Sequence, residues 1–353
     1  MKRLVLRNQS SPVSDCDKSL DTERILNRFR QWAIWLVVAS CAAAMPLFLV
    51  SNVTVDPGDT YVFDWLLAAT LLVSRIWWER PRHYRLADAL GAAAAAALGG
   101  MTCGAFAMLS LPLRYPLADG VFRSLDQAIG ADTILIVTEL ARLGPNVFAL
   151  TWPAYNFTLQ LFFASLFVLS LQGKRIEAWR ASTCFVATLL TVCLIAMFLP
   201  AKGAGVWGSR ELFALLPDSA MRGFWAHFDE FYVGTAPVLR LRGIDGVISF
   251  PSFHTIVGLI VVCMWRKNIV TFGLAIAWFC LMLPGTLFYG GHYIVDLISG
   301  FVVWLIWFWL SRRFELKALN GFAGRLSCGA TVRSQWPFNR PIDVSSDRNL
   351  ALR

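Results

Sequence analysis

Phe250-Pro251-Ser252-Phe253-His254-Thr255 and Tyr289-Gly290-Gly291-His292-Tyr293-Ile294-Val295-Asp296 are the two stretches on which the reading of this chain turns. The interval between them is apolar apart from one break at Arg266-Lys267-Asn268. A membrane helix needs about 20 apolar residues to cross the bilayer. The interval therefore predicts one crossing, a tight turn and a crossing back, which returns both histidines to the same face of the bilayer.

Composition sets the class. Of 353 residues, 57% are hydrophobic and only 16% charged, too apolar for an ordinary soluble domain. The expectation is an all-α polytopic membrane helix bundle. The net charge of +9 would hint at nucleic acid in a soluble chain, but here Lys and Arg sit between apolar spans and serve topology, so no nucleic-acid partner is expected. Most of the eight cysteines fall inside apolar spans and none forms a CxxC pair, which argues against a disulfide framework or a zinc site. The polar, mixed-charge residues 1–30 lack the pattern of a cleavable signal peptide.

Hydropathy predicts about eight crossings. They cover roughly 31–50, 61–77, 86–111, 150–171 and 182–200, then three that start near 252, 269 and 293. The third is rich in Ala and Gly, and small residues let helix backbones approach closely in lipid. Residues 112–149 carry Asp119, Arg123, Asp126, Asp132, Glu139 and Arg142 among apolar positions. They read as one amphipathic helix lying at the membrane surface and ended by Gly144-Pro145. The domain reading is a polar tail 1–30, three helices within 31–114, a catalytic core 115–311 and a basic tail 312–353.

Positive charge assigns the sides. The N-terminal tail, the 78–87 loop, the 174–180 loop, Arg266-Lys267 and the C-terminal tail are all rich in Lys or Arg and fall on one side, which makes that side the cytoplasm. Both histidine motifs and loop 201–249 fall on the other. The expected setting is a bacterial inner membrane with the site facing the periplasm.

His292 and Asp296 stand at i and i+4 on one helix face, so the carboxylate can reach the imidazole and fix its tautomer. Ionisable residues at the edge of a membrane helix are costly and therefore functional suspects. Pro251 and Ser252 read as a helix start, proline in the first turn and serine as the cap. The free N–H groups there make an anion site. Two histidines, a carboxylate and an anion-binding helix end suggest phosphoryl transfer. His83 reads as a solvated loop residue and His227 as a loop-packing one. A metal site of His227, His254, His292 and Asp296 lacks any HExxH-type spacing, and no metal or cofactor is expected.

The paired motifs resemble the Pro-Ser-x-His and His-x-x-x-Asp motifs of the type 2 phosphatidic acid phosphatase superfamily of membrane lipid phosphatases and phosphotransferases. The wording is closest to the branch of the inositol phosphorylceramide synthases, and the sphingomyelin synthases share it. The resemblance covers roughly residues 115–311, a core of about six helices. It implies His292 as nucleophile, Asp296 as its orienting partner, and His254 as the acid for the leaving alcohol and then the base for the acceptor. It implies that Ser252 and nearby backbone N–H groups hold phosphate oxygens, and that no metal takes part.

Where the superfamily's lipid phosphatases carry an arginine before the second histidine, this chain has Thr286. Their lysine and downstream Arg-Pro have only an approximate counterpart in Lys202 and Arg210, with Glu211 in place of proline. Phosphate needs cationic partners, and Lys202, Arg210, Arg240 and Arg242 are the candidates. The substrate implied is a membrane lipid phosphoester, with water or a lipid alcohol as acceptor. The competing reading is a non-enzymatic transporter or flippase-like protein, against which stand the lack of an internal repeat and the placing of the key charges at the boundary.

Overall fold

The computed structural model describes residues 12–56, 69–70, 72–73, 83–218, 220–235, 237–240 and 247–326, with side chains between 22 and 315. It is an all-α bundle: α1 (Pro12–Val50), α2 (Tyr84–Ser110), α3 (Asp119–Ala128), α4 (Thr133–Arg142), α5 (Pro145–Asn156), α6 (Thr158–Leu171), α7 (Arg175–Phe198), α8 (Arg210–Leu215), α9 (Trp225–Tyr232), α10 (Phe253–Trp265), α11 (Ile269–Phe288) and α12 (Ile294–Leu326). Two-residue strands β1 (Thr54–Val55) and β2 (Val238–Leu239) pair in parallel, Thr54 opposite Val238. This pairing ties the segment after α1 to the long segment before α10, so both lie at one end of the bundle.

Among the described residues, five helices are long and apolar enough to cross a membrane: Thr22–Val50, Tyr84–Leu113, Arg175–Phe198, Ile269–Phe288 and Ile294–Glu315. They correspond to the first, third, fifth, seventh and eighth expected crossings. The second, 61–77, lies almost wholly outside the described residues. The sixth is the shorter apolar helix α10. The fourth differs from expectation. Gly144-Pro145 ends α4, as expected, and also begins a second helix, because proline at N1 lacks only an N–H that would have no partner anyway. The run then breaks at Phe157, before α6, and α5 makes an angle of 118° with α4.

The single surface helix expected over 112–149 is likewise replaced, by α3 and α4. Gly130 turns the chain at φ +75° and Asp132 caps α4 by accepting from the Leu135 N–H at 3.1 Å. Nor does α3 merely lie on the surface: Asp119, Phe122 and Asp126 are buried.

Helices α2 and α7 pack closely along the small-residue face, as the composition suggested. Ala92, Ala95, Ala96 and Gly99 are buried, and a Cβ on Gly99 would lie 2.5 Å from Val186 Cγ2. Ser182 Oγ donates to the Ala92 carbonyl at 2.7 Å. Beneath the first motif, Phe185 stacks on Phe162 (4.6 Å) and meets Phe253 edge-on (5.1 Å). Asp88 of α2, which is buried, accepts from Arg30 at 2.5 Å, from Trp179 at 2.8 Å and from Arg175. A buried carboxylate is tolerable only with such partners, and this one joins α1, α2 and α7. Helix α1 passes through residue 30 without a break and packs Ile25, Leu26 and Phe29 against Trp179 and Ala92.

Candidate active site

Asp296, in the first turn of α12, is fully buried, and His292 is 3% exposed. Their side chains meet at 3.2 Å, His292 Nδ1 to Asp296 Oδ2. The same oxygen accepts from Ser249 Oγ (2.9 Å) and the Tyr293 N–H (2.9 Å). A carboxylate at Nδ1 selects the tautomer that carries its proton there and leaves the Nε2 lone pair free. Gly290 faces that nitrogen, and a Cβ in its place would stand 2.6 Å from His292 Cδ2 and 3.0 Å from Nε2. Glycine at this position thus leaves the Nε2 side of the ring uncrowded.

His254 enters from α10. Ser252 caps that helix by accepting from the Thr255 N–H at 3.4 Å. Pro251, expected in the first turn, instead precedes the cap, and its peptide bond with Phe250 is cis. The His254 ring stacks on Tyr155 of α5 with centroids 4.1 Å apart, and it lies within electrostatic reach of His292. The two motifs also join through the backbone, where the Ser252 N–H donates to the Asp296 carbonyl at 2.9 Å.

Two carboxylates from α3 frame the pair. Asp126 accepts from the backbone N–H of Ile294 (3.1 Å) and of Val295 (2.8 Å), and from the Thr133 hydroxyl. It satisfies donors that the start of α12 cannot pair within the helix. Asp119 accepts from the N–H groups of Lys202 (3.0 Å) and Gly203 (2.8 Å) and from Tyr293 Oη (3.1 Å). Trp207 Nε1 donates in turn to Tyr293 Oη at 2.8 Å. Burial lifts the Asp119 carboxyl above the usual carboxylate range, against the opposing pull of the Lys202 N–H. Burial first, and then the Asp119 charge, hold the Tyr293 phenol far above its ordinary value, so it remains a donor.

Neither acid was singled out in the sequence as a site residue. Their spacing with Phe122, at i, i+3 and i+7, does put all three on one helix face, and that signal was available. What the face packs against was not. Phe122 stacks on Phe250 of the first motif, centroids 4.2 Å apart.

The candidate phosphate-binding residues are placed unequally. Ser252 is fully buried, and its Oγ is engaged by Thr255. Lys202 lies beside the second motif: Gly203 follows it, and the Ala204 N–H donates to the Gly291 carbonyl at 2.7 Å. Its Nζ pairs with Asp229 at 2.6 Å. Arg210 is exposed at the start of α8. Arg240 faces Asp56 (3.7 Å) and Glu230 (4.0 Å). Arg242 lies outside the described residues. His227 sits 3.4 Å from Glu230, not beside the other two histidines' carboxylate. Thr286 is fully buried. It donates to the Leu283 carbonyl at 2.6 Å, and its own carbonyl accepts the His292 N–H at 3.4 Å. The position thus supports the second motif from behind. Among the described residues, no group of three or more His, Cys, Asp or Glu side chains is arranged to hold a metal ion.

The family model of the PAP2 superfamily matches residues 121–310, more than half of the chain. The chain belongs to the PAP2 superfamily. No curated protein and no solved structure matches it. The PAP2 match begins in α3 and ends in α12, so it takes in His254, His292, Asp296 and Asp126. Asp119 and the helices α1 and α2 lie before it. PAP2 membership supports a membrane enzyme of phosphatase or phosphotransferase type.

Proposed function

We propose that this protein cleaves a lipid phosphoester by transferring its phosphoryl or phospho-headgroup to His292, and that the site faces the non-cytoplasmic side of the membrane. The observation that carries the reading is the His292 Nδ1 to Asp296 Oδ2 contact at 3.2 Å. It leaves Nε2 as the nucleophile and sets a buried negative charge behind the ring as positive charge develops there. Nε2 attacks phosphorus, the N–P bond forms, and the P–O bond to the leaving alcohol breaks. His254 gives its proton to that oxygen. The acceptor then attacks the phosphohistidine, His254 takes the acceptor's proton, and the N–P bond breaks to restore His292. Lys202, beside Gly203 and the second motif, supplies positive charge by exchanging Asp229 for the phosphate oxygens.

Transfer to a lipid alcohol, as in the inositol phosphorylceramide synthase-like branch, is favoured over hydrolysis by Thr286. The position holds a buried, internally bonded hydroxyl where the lipid phosphatases carry a cation. The test uses the full chain in nanodiscs with phosphatidylinositol or phosphatidic acid, with and without ceramide or diacylglycerol. A new headgroup-bearing lipid that forms only with the acceptor is expected, and free phosphate without an acceptor would instead favour hydrolysis. His292→Ala should abolish either product. A folded His292→Ala protein with full activity would overturn the assignment, and one that still moved lipid across the bilayer would favour the transporter reading.

A further inference from the structure

Arg180 stands near the start of α7, at the end of the bundle away from the histidines. It is only 6% exposed. Its Nη2 pairs with Glu315 at 2.9 Å, but its Nε and Nη1 are buried without a hydrogen-bond partner. A buried guanidinium with idle donors is costly. Arg180 borders a crevice of about 30 Å³ between α7, α10 and α12, whose walls include Arg266, Cys263, Ile260, Trp304 and Phe308.

The charge around this crevice is unbalanced. Arg266 and Arg312 both act electrostatically on Arg180, as do Glu315 and Glu177. Glu177 is taken by Lys267, and Glu315 is shared between Arg180 and Arg312. Four cations therefore face two carboxylates, and the excess is positive. Such an excess suits an anion. The helix that forms one wall exposes Leu305, Ile306 and Trp309 on its outer face, so the crevice borders the hydrocarbon layer. A ligand that reaches it from there must be amphiphilic. Basic pockets between transmembrane helices suit anionic lipid headgroups.

We propose that the cations at the mouth of this crevice bind the phosphate of an anionic phospholipid, with an acyl chain lying across Trp304 and Phe308. The bound lipid joins α10, which carries His254, to α12, which carries Asp296, from the far side of the membrane. This inference is independent of the chemistry assigned to the histidines.

The test follows lipid retention by native mass spectrometry on the full chain in detergent, together with thermal stability. Phosphatidylglycerol is the probe, with phosphatidylcholine and free glycerol phosphate as controls. Phosphatidylglycerol is expected to be retained at least tenfold better than phosphatidylcholine and to raise Tm. The double variant Arg180→Gln/Arg266→Gln, which removes both cations that line the crevice and leaves Glu315 its pairing with Arg312, should lose that preference. If it fails to fold, Arg266→Gln should weaken the preference in the same direction. Equal retention of the two lipids, or a preference unchanged in these variants, overturns the proposal and leaves water as the partner of Arg180. An equal rise in Tm with glycerol phosphate alone overturns the lipid assignment in favour of a free-anion site.

Discussion

Asp126 of α3 accepts the backbone N–H of Val295 at 2.8 Å, although the two residues are far apart in the chain. The carboxylate caps the helix that carries Asp296, and so it fixes where that helix begins. The His292–Asp296 dyad is thereby anchored by a residue that hydrogen-bonds to neither of its side chains.

Removing this cap should therefore weaken both fold and activity. For Asp126→Ala we expect a loss of about 1–3 kcal/mol, the range for losing a cap and a charged hydrogen-bond acceptor. Thermal unfolding in nanodiscs reads the stability. A lowered kcat with little change in KM would show misplacement of the dyad, whereas a variant with unchanged kcat would show that the cap serves stability alone.

Asp296→Asn keeps the shape at the dyad but removes the charge that orients and stabilises the imidazole. Comparable changes in a catalytic triad cost about 10⁴-fold in kcat, and a loss of about 10²–10⁴ is expected here. The check is single-turnover formation of an acid-labile phosphoprotein, which should slow in parallel. Normal phosphoprotein formation would remove Asp296 from the chemistry.

Gly203 adopts φ +85°, and a Cβ there would lie 2.4 Å from the Gly291 carbonyl oxygen. Gly203→Ala thus combines a strained backbone, worth about 1–3 kcal/mol, with a clash against backbone that cannot swing away. The segment bearing Lys202 should lift off the second motif. The expected result is a lower Tm and a KM increase for the phosphoester, measured by titration of substrate against initial rate.

Asp119 gives a prediction in pH. Its folded pKa is raised by burial, so holding it ionised costs stability. The favourable contribution is fully present below the ordinary carboxylate value and is lost as pH rises through the raised one. Asp119→Asn has no such dependence. Between pH 7 and pH 4, the difference in stability between the two proteins should move in favour of the wild type. A difference that stays constant, measured by chemical denaturation at several pH values, would place Asp119 in a more solvated setting than the structure shows.

Sequence by itself determined the helical membrane class, five of the long crossings, the turn between the histidines and the pairing of His292 with Asp296. These depend on local quantities: runs of apolar residues long enough to span the bilayer, small residues along α2, and i, i+4 spacing on one helix. It also placed Ser252 as a cap, because capping is read within a few residues. Tertiary structure alone decided the rest. Asp119 and Asp126 look like the polar face of a surface helix until the start of α12 and the Lys202–Gly203 backbone arrive to donate to them. Tyr155 is one aromatic among many until α5, set at 118° to α4, lays it on His254. Gly144-Pro145 could be read as a helix end, but only the fold shows that it also starts α5 at 118° to α4. Each depends on contacts between residues distant in the chain, and burial turns such contacts from optional into necessary by removing the water that would otherwise satisfy the same groups.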